Sequence, residues 1–281
     1  MIRRTRDVGL AARDAFDAII DVRSPGEFAQ DHLPGAINLP VLDDAQRASV
    51  GTEYVRGSKF RARRMGAALV ARNIADHLEG ALADRDGSFR PLVHCWRGGQ
   101  RSGAMAAVMD QVGWTVTVLD GGYRTWRQAV TAALYDRPLA HRLVLLGGPT
   151  GAGKTEVLGR LAARGVQTLD LEGLANHRGS LFGAMPGGQP SQKLFESRIC
   201  AALERLDPAR PIVVEAESSK VGARSVPSRL WAAMGAAPRI GLSASVAARA
   251  AFSARAYAAT AADAEALERA FARMPRHVSK A

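Results

Sequence analysis

Two stretches of this chain carry residues whose types and spacing can do chemistry. In PLVHCWRGGQRSG (Pro91 to Gly103) a short apolar run ends at Cys95. Arg97, Gly98, Gly99 and Arg101 follow before a helical pattern begins at Ser102. Glycines let successive backbone N–H groups turn toward one centre, and a helix starting there adds the positive end of its dipole. Such a loop favours thiolate over thiol and holds an anion, with Arg97 and Arg101 as guanidinium donors. No His–Asp pair is then needed to activate the sulfur. Cys200, on the apolar face of FESRICAALERL, reads instead as a structural cysteine.

The second stretch is LVLLGGPTGAGKTEVL (Leu143 to Leu158), which fits G-x-x-x-x-G-K-[ST] with Gly148, Gly153, Lys154 and Thr155 in place. The backbone from about Thr150 through Gly151 to Thr155 would wrap a phosphate or diphosphate. Lys154 would neutralise it, and Thr155 could hold a Mg²⁺. A strand precedes the loop and a helix follows it, as the motif requires. Carboxylates ending other strands are the usual partners: Asp170 and Glu172 in QTLDLEG, Glu215 and Glu217 in PIVVEAES, with Glu215 the first choice. The segment Leu174 to Glu196, bearing His177 and Arg178, is long, glycine-rich and dotted with apolar residues, and reads as a substrate-covering loop.

The elements that must position these loops alternate along the chain. DAFDAIIDVRS, GAINLPV, PLVHC and VTVLDGGY read as strands, and Lys59–Leu82, Ser102–Gly113 and Tyr123–Leu134 as helices between them. After YDRPLAH the alternation resumes with strands in HRLVLLGG, VQTLDLEG and RPIVVEAES, and a weaker one in APRIGLSAS. Helices follow the phosphate loop and span SQKLFESRICAALERL, and the tail from Val246 is alanine-rich and helical. This is an α/β chain of two parallel-sheet domains, 1–137 and 138–281, the second ending in a helical tail.

Composition narrows the partners. A formal charge of +11 favours a polyanion. The run YVRGSKFRARR places Arg56, Lys59, Arg61, Arg63 and Arg64 where they could track one RNA backbone, unless they simply form a solvated helix face. Two cysteines make a disulfide framework unlikely and point to a reducing, cytoplasmic setting. No apolar run has the ~20 residues of a membrane span, and the first residues lack the apolar core of a signal peptide.

Cys95 and Arg101 stand at the separation used by cysteine-dependent phosphatases, and sulfurtransferase loops are often one residue shorter. The loop alone leaves phosphorus and chalcogen chemistry open, although no general acid for a phosphatase is evident. IIDVRSPGEFAQDHLPGAINLPV, VHCWRGGQRSG and VLDGGYRTWR resemble the three markers of a rhodanese domain. With GPTGAGKTEVL, DLEGLANHRGSLFG and VVEAESSKVG in order, the chain resembles the tRNA 2-selenouridine synthase family from about Asp21 to Trp231. That resemblance implies exchange of sulfur for selenium in wobble 2-thiouridine of tRNA, with selenophosphate as donor. It also implies S-geranylation of the same sulfur from geranyl diphosphate, which would sit in the phosphate loop. Selenophosphate would sit at Cys95, which would carry selenium covalently or only hold the anion, the covalent role being preferred. No permanently bound cofactor is expected. A further helical region of the family, with a His-Tyr-Asp-Pro stretch, has no counterpart here. The competing readings are a rhodanese-type sulfurtransferase with a regulatory phosphate loop, and a nucleotide-switched RNA-binding module. Trp96 reads equally as a stacking platform for a flipped base or as packing within its own domain.

Overall fold

Short aliphatic runs without alternation are the mark of parallel strands covered on both faces, and β2 (Ala18–Asp21), β4 (Pro91–His94) and β5 (Thr117–Leu119) are of this kind. With β1 (Arg3–Thr5) and β3 (Ala36–Asn38) they form a parallel sheet in the order β1-β5-β4-β2-β3. The computed structural model describes residues 1–149, 151–180, 183–216 and 218–256. They divide into two compact units, Met1–Ala132 and the chain from Ala133 onward.

In the first unit, Ile20, Val93, Met105, Met109, Trp114 and Val118 belong to one buried core. The helices are α1 (Leu10–Asp14), α2 (Pro25–Gln30), α3 (Asp44–Arg56), α4 (Lys59–Glu79), α5 (Gln100–Val112) and α6 (Tyr123–Thr131). α6 runs into one π-helical turn at Ala132–Asp136. Gly113, left-handed at φ 107°, stops α5. Parallel register puts Asp21 beside His94 and Val93 beside Val118. The segments after β2, β4 and β5 therefore leave the same edge of the sheet, where ligands of open α/β sheets bind.

Besides the short helices α1 and α2, two elements of this unit were not expected from sequence. β1 is short and charged, and forms because β5 offers it an edge, with Arg3 N–H donating to the Val116 carbonyl at 2.9 Å. α3 buries none of its residues and so lacks an amphipathic signature. Its start is fixed by an Asp43–Gln46 capping box.

The second unit holds a parallel sheet ordered β11-β6-β8-β7, comprising β6 (Leu143–Gly147), β7 (Thr168–Leu169), β8 (Ile212–Glu215) and β11 (Arg239–Gly241). Its helices are α7 (Lys154–Ala162), α8 (Leu171–Ala175), α9 (Gln192–Glu204), α10 (Ser228–Ala236) and α11 (Val246–Ala256). A small antiparallel pair, β9 (Lys220–Val221) and β10 (Arg224–Ser225), follows β8. Phe195, Ile199, Cys200 and Leu203 form the buried face of α9, which is the structural setting expected for Cys200. The expected helical tail is described as far as Ala256, and the remainder lies outside the described residues. Among the described residues no helix is long and apolar enough to cross a membrane.

Candidate functional site

Cys95 is the first residue after β4 and is 4% exposed. Its sulfur accepts from the Gly99 N–H and the Ser102 hydroxyl, each at 3.3 Å. Burial pushes the thiol up, but hydrogen bonds from Ser102, Arg97 and Gly99 outweigh it and hold the pKa below the ordinary thiol value. The loop is moulded on the turn after β5. Tyr123 N–H donates to the Cys95 carbonyl at 2.8 Å and Arg124 N–H to the Trp96 carbonyl at 3.3 Å. Gly98 (φ 66°) and Gly122 (φ 59°) are both left-handed. A Cβ on Gly98 would overlap the Leu119 carbonyl, and one on Gly122 the Cys95 carbonyl. Both positions require glycine for reach as well as for conformation.

The two arginines of the loop behave differently. Arg97 is exposed. Arg101, expected as an anion donor, is committed to Glu27 by two hydrogen bonds of 2.7 and 3.3 Å. Burial pushes Glu27 up, yet pairing with Arg101 leaves it below the usual carboxylate range. A buried polar network that nothing in the sequence singled out lies in the same unit. Arg23, 1% exposed, pairs with fully buried Asp21 at 2.6 Å and donates to the Asp31 carbonyl at 2.6 Å. Asp31 in turn accepts from the Tyr123 hydroxyl at 2.7 Å. Burial and the Asp31 charge push that phenol above its ordinary range. This chain of contacts ties the segment after β2 to the turn after β5. His94 is fully buried beside it, with Nε2 3.8 Å from Asp21, and burial lowers its pKa. Trp96 lies 5.2 Å from the Tyr123 ring, so its own domain supplies its packing partner.

In the second unit, Gly153 caps α7 in the left-handed region at φ 77°, and Gly151 has φ 80°. Thr150 lies outside the described residues. Lys154 folds back over the loop, donating to the Gly148 carbonyl at 3.3 Å. The Thr155 hydroxyl donates to Glu172 at 3.2 Å. Glu172 is thus the carboxylate placed at the threonine. Asp170 serves as the N-cap of α8, accepting from Gly173 N–H at 2.7 Å, and Glu215 is fully buried in β8. Glu217 lies outside the described residues. One wall was not foreseen: a Cβ on Gly151 would meet the Arg249 carbonyl at 2.8 Å and the Ser253 hydroxyl at 2.7 Å, so α11 lies against the phosphate loop. Among the described residues no cluster of His, Cys, Asp and Glu is placed to hold a metal by itself.

A family model described as the tRNA 2-selenouridine synthase AAA domain matches residues 141–278, and a rhodanese-like domain model matches residues 8–129. A protein named tRNA 2-selenouridine synthase from Pseudomonas syringae pv. syringae (strain B728a) is 38% identical over 80% of this chain and 61% of its own length. One of the same name from Nitrosomonas europaea is 36% identical over 81% of this chain and 61% of its own. The chain is thus similar to the tRNA 2-selenouridine synthases across both of its units. It spans about three fifths of the length of these curated relatives.

In the second unit the expected covering loop is ordered by its own polar side chains. Asn176, left-handed at φ 48°, donates to the Pro186 and Gly188 carbonyls at 2.9 and 2.8 Å. Gln189 donates to the Val221 carbonyl at 2.9 Å and accepts from Ala223 N–H at 2.7 Å, which stitches the loop to β9 and β10. Between them lies a cavity of about 590 Å³ lined by His177, Ser180, Met185, Gln189, Ser218 and Lys220. His177 Nδ1 accepts from Gly179 N–H at 3.1 Å, so the neutral ring carries its proton on Nε2. Burial lowers its pKa and favours that neutral form. The Arg178 backbone N–H donates to the Gly183 carbonyl at 2.8 Å. The five cations of the basic run straddle the corner between α3 and α4, and all are exposed. Arg61 pairs with Glu53 at 3.4 Å, and Lys59 lies 5.8 Å from the Tyr54 ring.

Proposed function

We propose that this chain replaces the sulfur of wobble 2-thiouridine in tRNA by selenium, using selenophosphate, by way of an S-geranyl intermediate made from geranyl diphosphate. The observation that carries the reading is the pairing, in one chain, of a hydrogen-bonded thiol loop with a phosphate loop whose threonine meets a carboxylate. In the first step the thione sulfur forms a bond to the geranyl C1, the C1–O bond breaks, diphosphate leaves, and the base loses its N3 proton. The loop from Gly148 to Thr155 holds the departing diphosphate, with Lys154 against its charge. Thr155 and Glu172 offer hard oxygen donors that suit Mg²⁺ together with phosphate oxygens, and the ion would supply further charge neutralisation.

In the second step selenium attacks C2, the C2–S bond breaks and the geranyl thiol leaves. Water then cleaves the Se–P bond to release phosphate. A selenium–sulfur bond on Cys95 would require an electron pair to be removed from selenium, which selenophosphate already delivers as selenide. The reading therefore keeps selenium off the sulfur and casts the Cys95 thiolate as the base that accepts the selenol proton.

The test is to incubate the chain with 2-thiouridine-containing tRNA, geranyl diphosphate, Mg²⁺ and selenophosphate, and to analyse the nucleosides by mass spectrometry. 2-Selenouridine is expected, with the S-geranyl form accumulating when selenophosphate is omitted. Lys154→Ala should abolish geranylation while leaving tRNA binding within a few-fold, and Cys95→Ser should block selenation while sparing geranylation. Equal loss of binding and geranylation in Lys154→Ala, or full selenation by Cys95→Ser, would overturn these assignments.

A further inference from the structure

The cavity beside the covering loop is joined to the phosphate loop through α8. The Thr155 hydroxyl meets Glu172 in the first turn of that helix. The Glu172 carbonyl accepts from His177 N–H at 3.0 Å, and the His177 ring lines the cavity. Ser218, Lys220 and Gly222 line it from the segment after β8, so the space lies beyond the carboxyl end of that strand, where ligands of parallel sheets bind. Three segments close on one another there. His177 forms an antiparallel bridge with Ala184. A Cβ on Gly222 would lie 2.7 Å from the His177 ring and 2.5 Å from Gln189 Oε1. Gln189 also donates to the Ala175 carbonyl at 3.3 Å. The walls are thus fixed before any ligand arrives.

The lining selects its occupant. Gly179, Gly188 and Gly222 offer backbone in place of side chains, and Ala184, Met185 and Ala223 are the apolar members. An isoprenoid chain would find little aliphatic wall there, and a volume of about 590 Å³ is far more than a lone oxyanion fills. A flat ring with polar edges suits bare backbone walls, because glycine permits close approach. Two donors lack an acceptor among the described residues: the protonated Nε2 of neutral His177 and the exposed Lys220 Nζ. In the reading above, the donor's diphosphate occupies the phosphate loop, which leaves this cavity for the acceptor. We propose that the cavity receives one pyrimidine base turned out of an RNA loop, with His177 Nε2–H donating to a ring carbonyl and Lys220 on the adjoining phosphate. The inference rests on the reading that alkyl transfer takes place at the phosphate loop, and it names where the accepting base sits.

The first test uses the full chain and a synthetic anticodon stem–loop with photoreactive 4-thiouridine at the wobble position, with no geranyl diphosphate present. Near-ultraviolet irradiation and peptide mass spectrometry should place the photoproduct in peptides that contain His177 or Lys220. Lys220→Glu, at an exposed position, should lower its yield several-fold. In the geranylation assay, His177→Ala should raise the KM for a 2-thiouridine stem–loop by about three- to tenfold, the range of one hydrogen bond. The KM for geranyl diphosphate should stay within about twofold, and His177→Gln, which keeps an N–H donor, should recover part of the loss. Photoproducts confined to other peptides, or an RNA KM unmoved in His177→Ala, would overturn the proposal. Labelling of the same peptides by 8-azidoadenosine triphosphate but not by the thiolated RNA would overturn it too, by assigning the cavity to a free nucleotide. The two readings fail separately. Photoproducts at the cavity without alkyl transfer keep the base site and remove the geranyl step, whereas alkyl transfer with photoproducts elsewhere removes the base site alone.

Discussion

Cys95 owes its character to a hydroxyl and backbone N–H groups, and this has a direct pH signature. A thiol held below its ordinary value carries more thiolate at a given pH than a free thiol does. Alkylation of Cys95 by iodoacetamide, followed by peptide mass spectrometry, should level off at lower pH than for a free thiol. Ser102→Ala removes a donor to the charged form and should move the midpoint upward. A profile unchanged by this substitution would leave the backbone donors as the whole cause. Cys200, buried in α9, is the internal control and should stay unmodified until the chain unfolds. The cysteine and glycines of the loop were legible in sequence, because a glycine-rich turn between a buried strand and a helix gathers backbone N–H groups around one centre. Ser102 was read only as a helix start, since nothing in one sequence distinguishes a hydroxyl that reaches back seven residues from one facing solvent. Arg101 shows the converse. Its type suggested an anion donor, but its partner Glu27 is distant in sequence and could be found only by folding the chain.

Among the elements, the turn after β5 does more for the site than its distance from Cys95 suggests. Gly122 lies against the carbonyl of the catalytic candidate, and the backbone has no room for a side chain there. Gly122→Ala should lower thermal stability by well over about 1 kcal/mol and slow Cys95 alkylation, as calorimetry and the same labelling assay would show. A variant that retains both stability and reactivity would mean the loop keeps its shape without this turn. The buried central strands were readable because their continuous apolar runs admit few alternatives. β1 and α3 were not, because one is a charged strand recruited by a neighbour's edge and the other buries no residue. α11 illustrates a third limit: its alanine-rich sequence predicts a helix but not that the helix abuts Gly151.

For the molecule as a whole, the excess of +11 predicts a partner but not a location. The fold gathers five exposed cations at the α3–α4 corner, which makes it the place to test. Binding of tRNA should weaken steeply between about 50 and 200 mM salt, and the slope of log affinity against log salt counts the phosphates neutralised. Replacing Arg63 and Arg64 by alanine should reduce that slope by about 0.7–0.9 for each cation that meets a phosphate. An unchanged slope would return this corner to the status of a solvated surface.

The dependence of the thiol loop on Gly122 and Tyr123 also sets an order in time. A ribosome completes the Cys95 loop before it adds the turn that supports it. Until that turn arrives, Cys95 is an ordinary thiol on an unfinished strand. The hydrogen bonds that lower its pKa thus come together only once the surrounding sheet has closed.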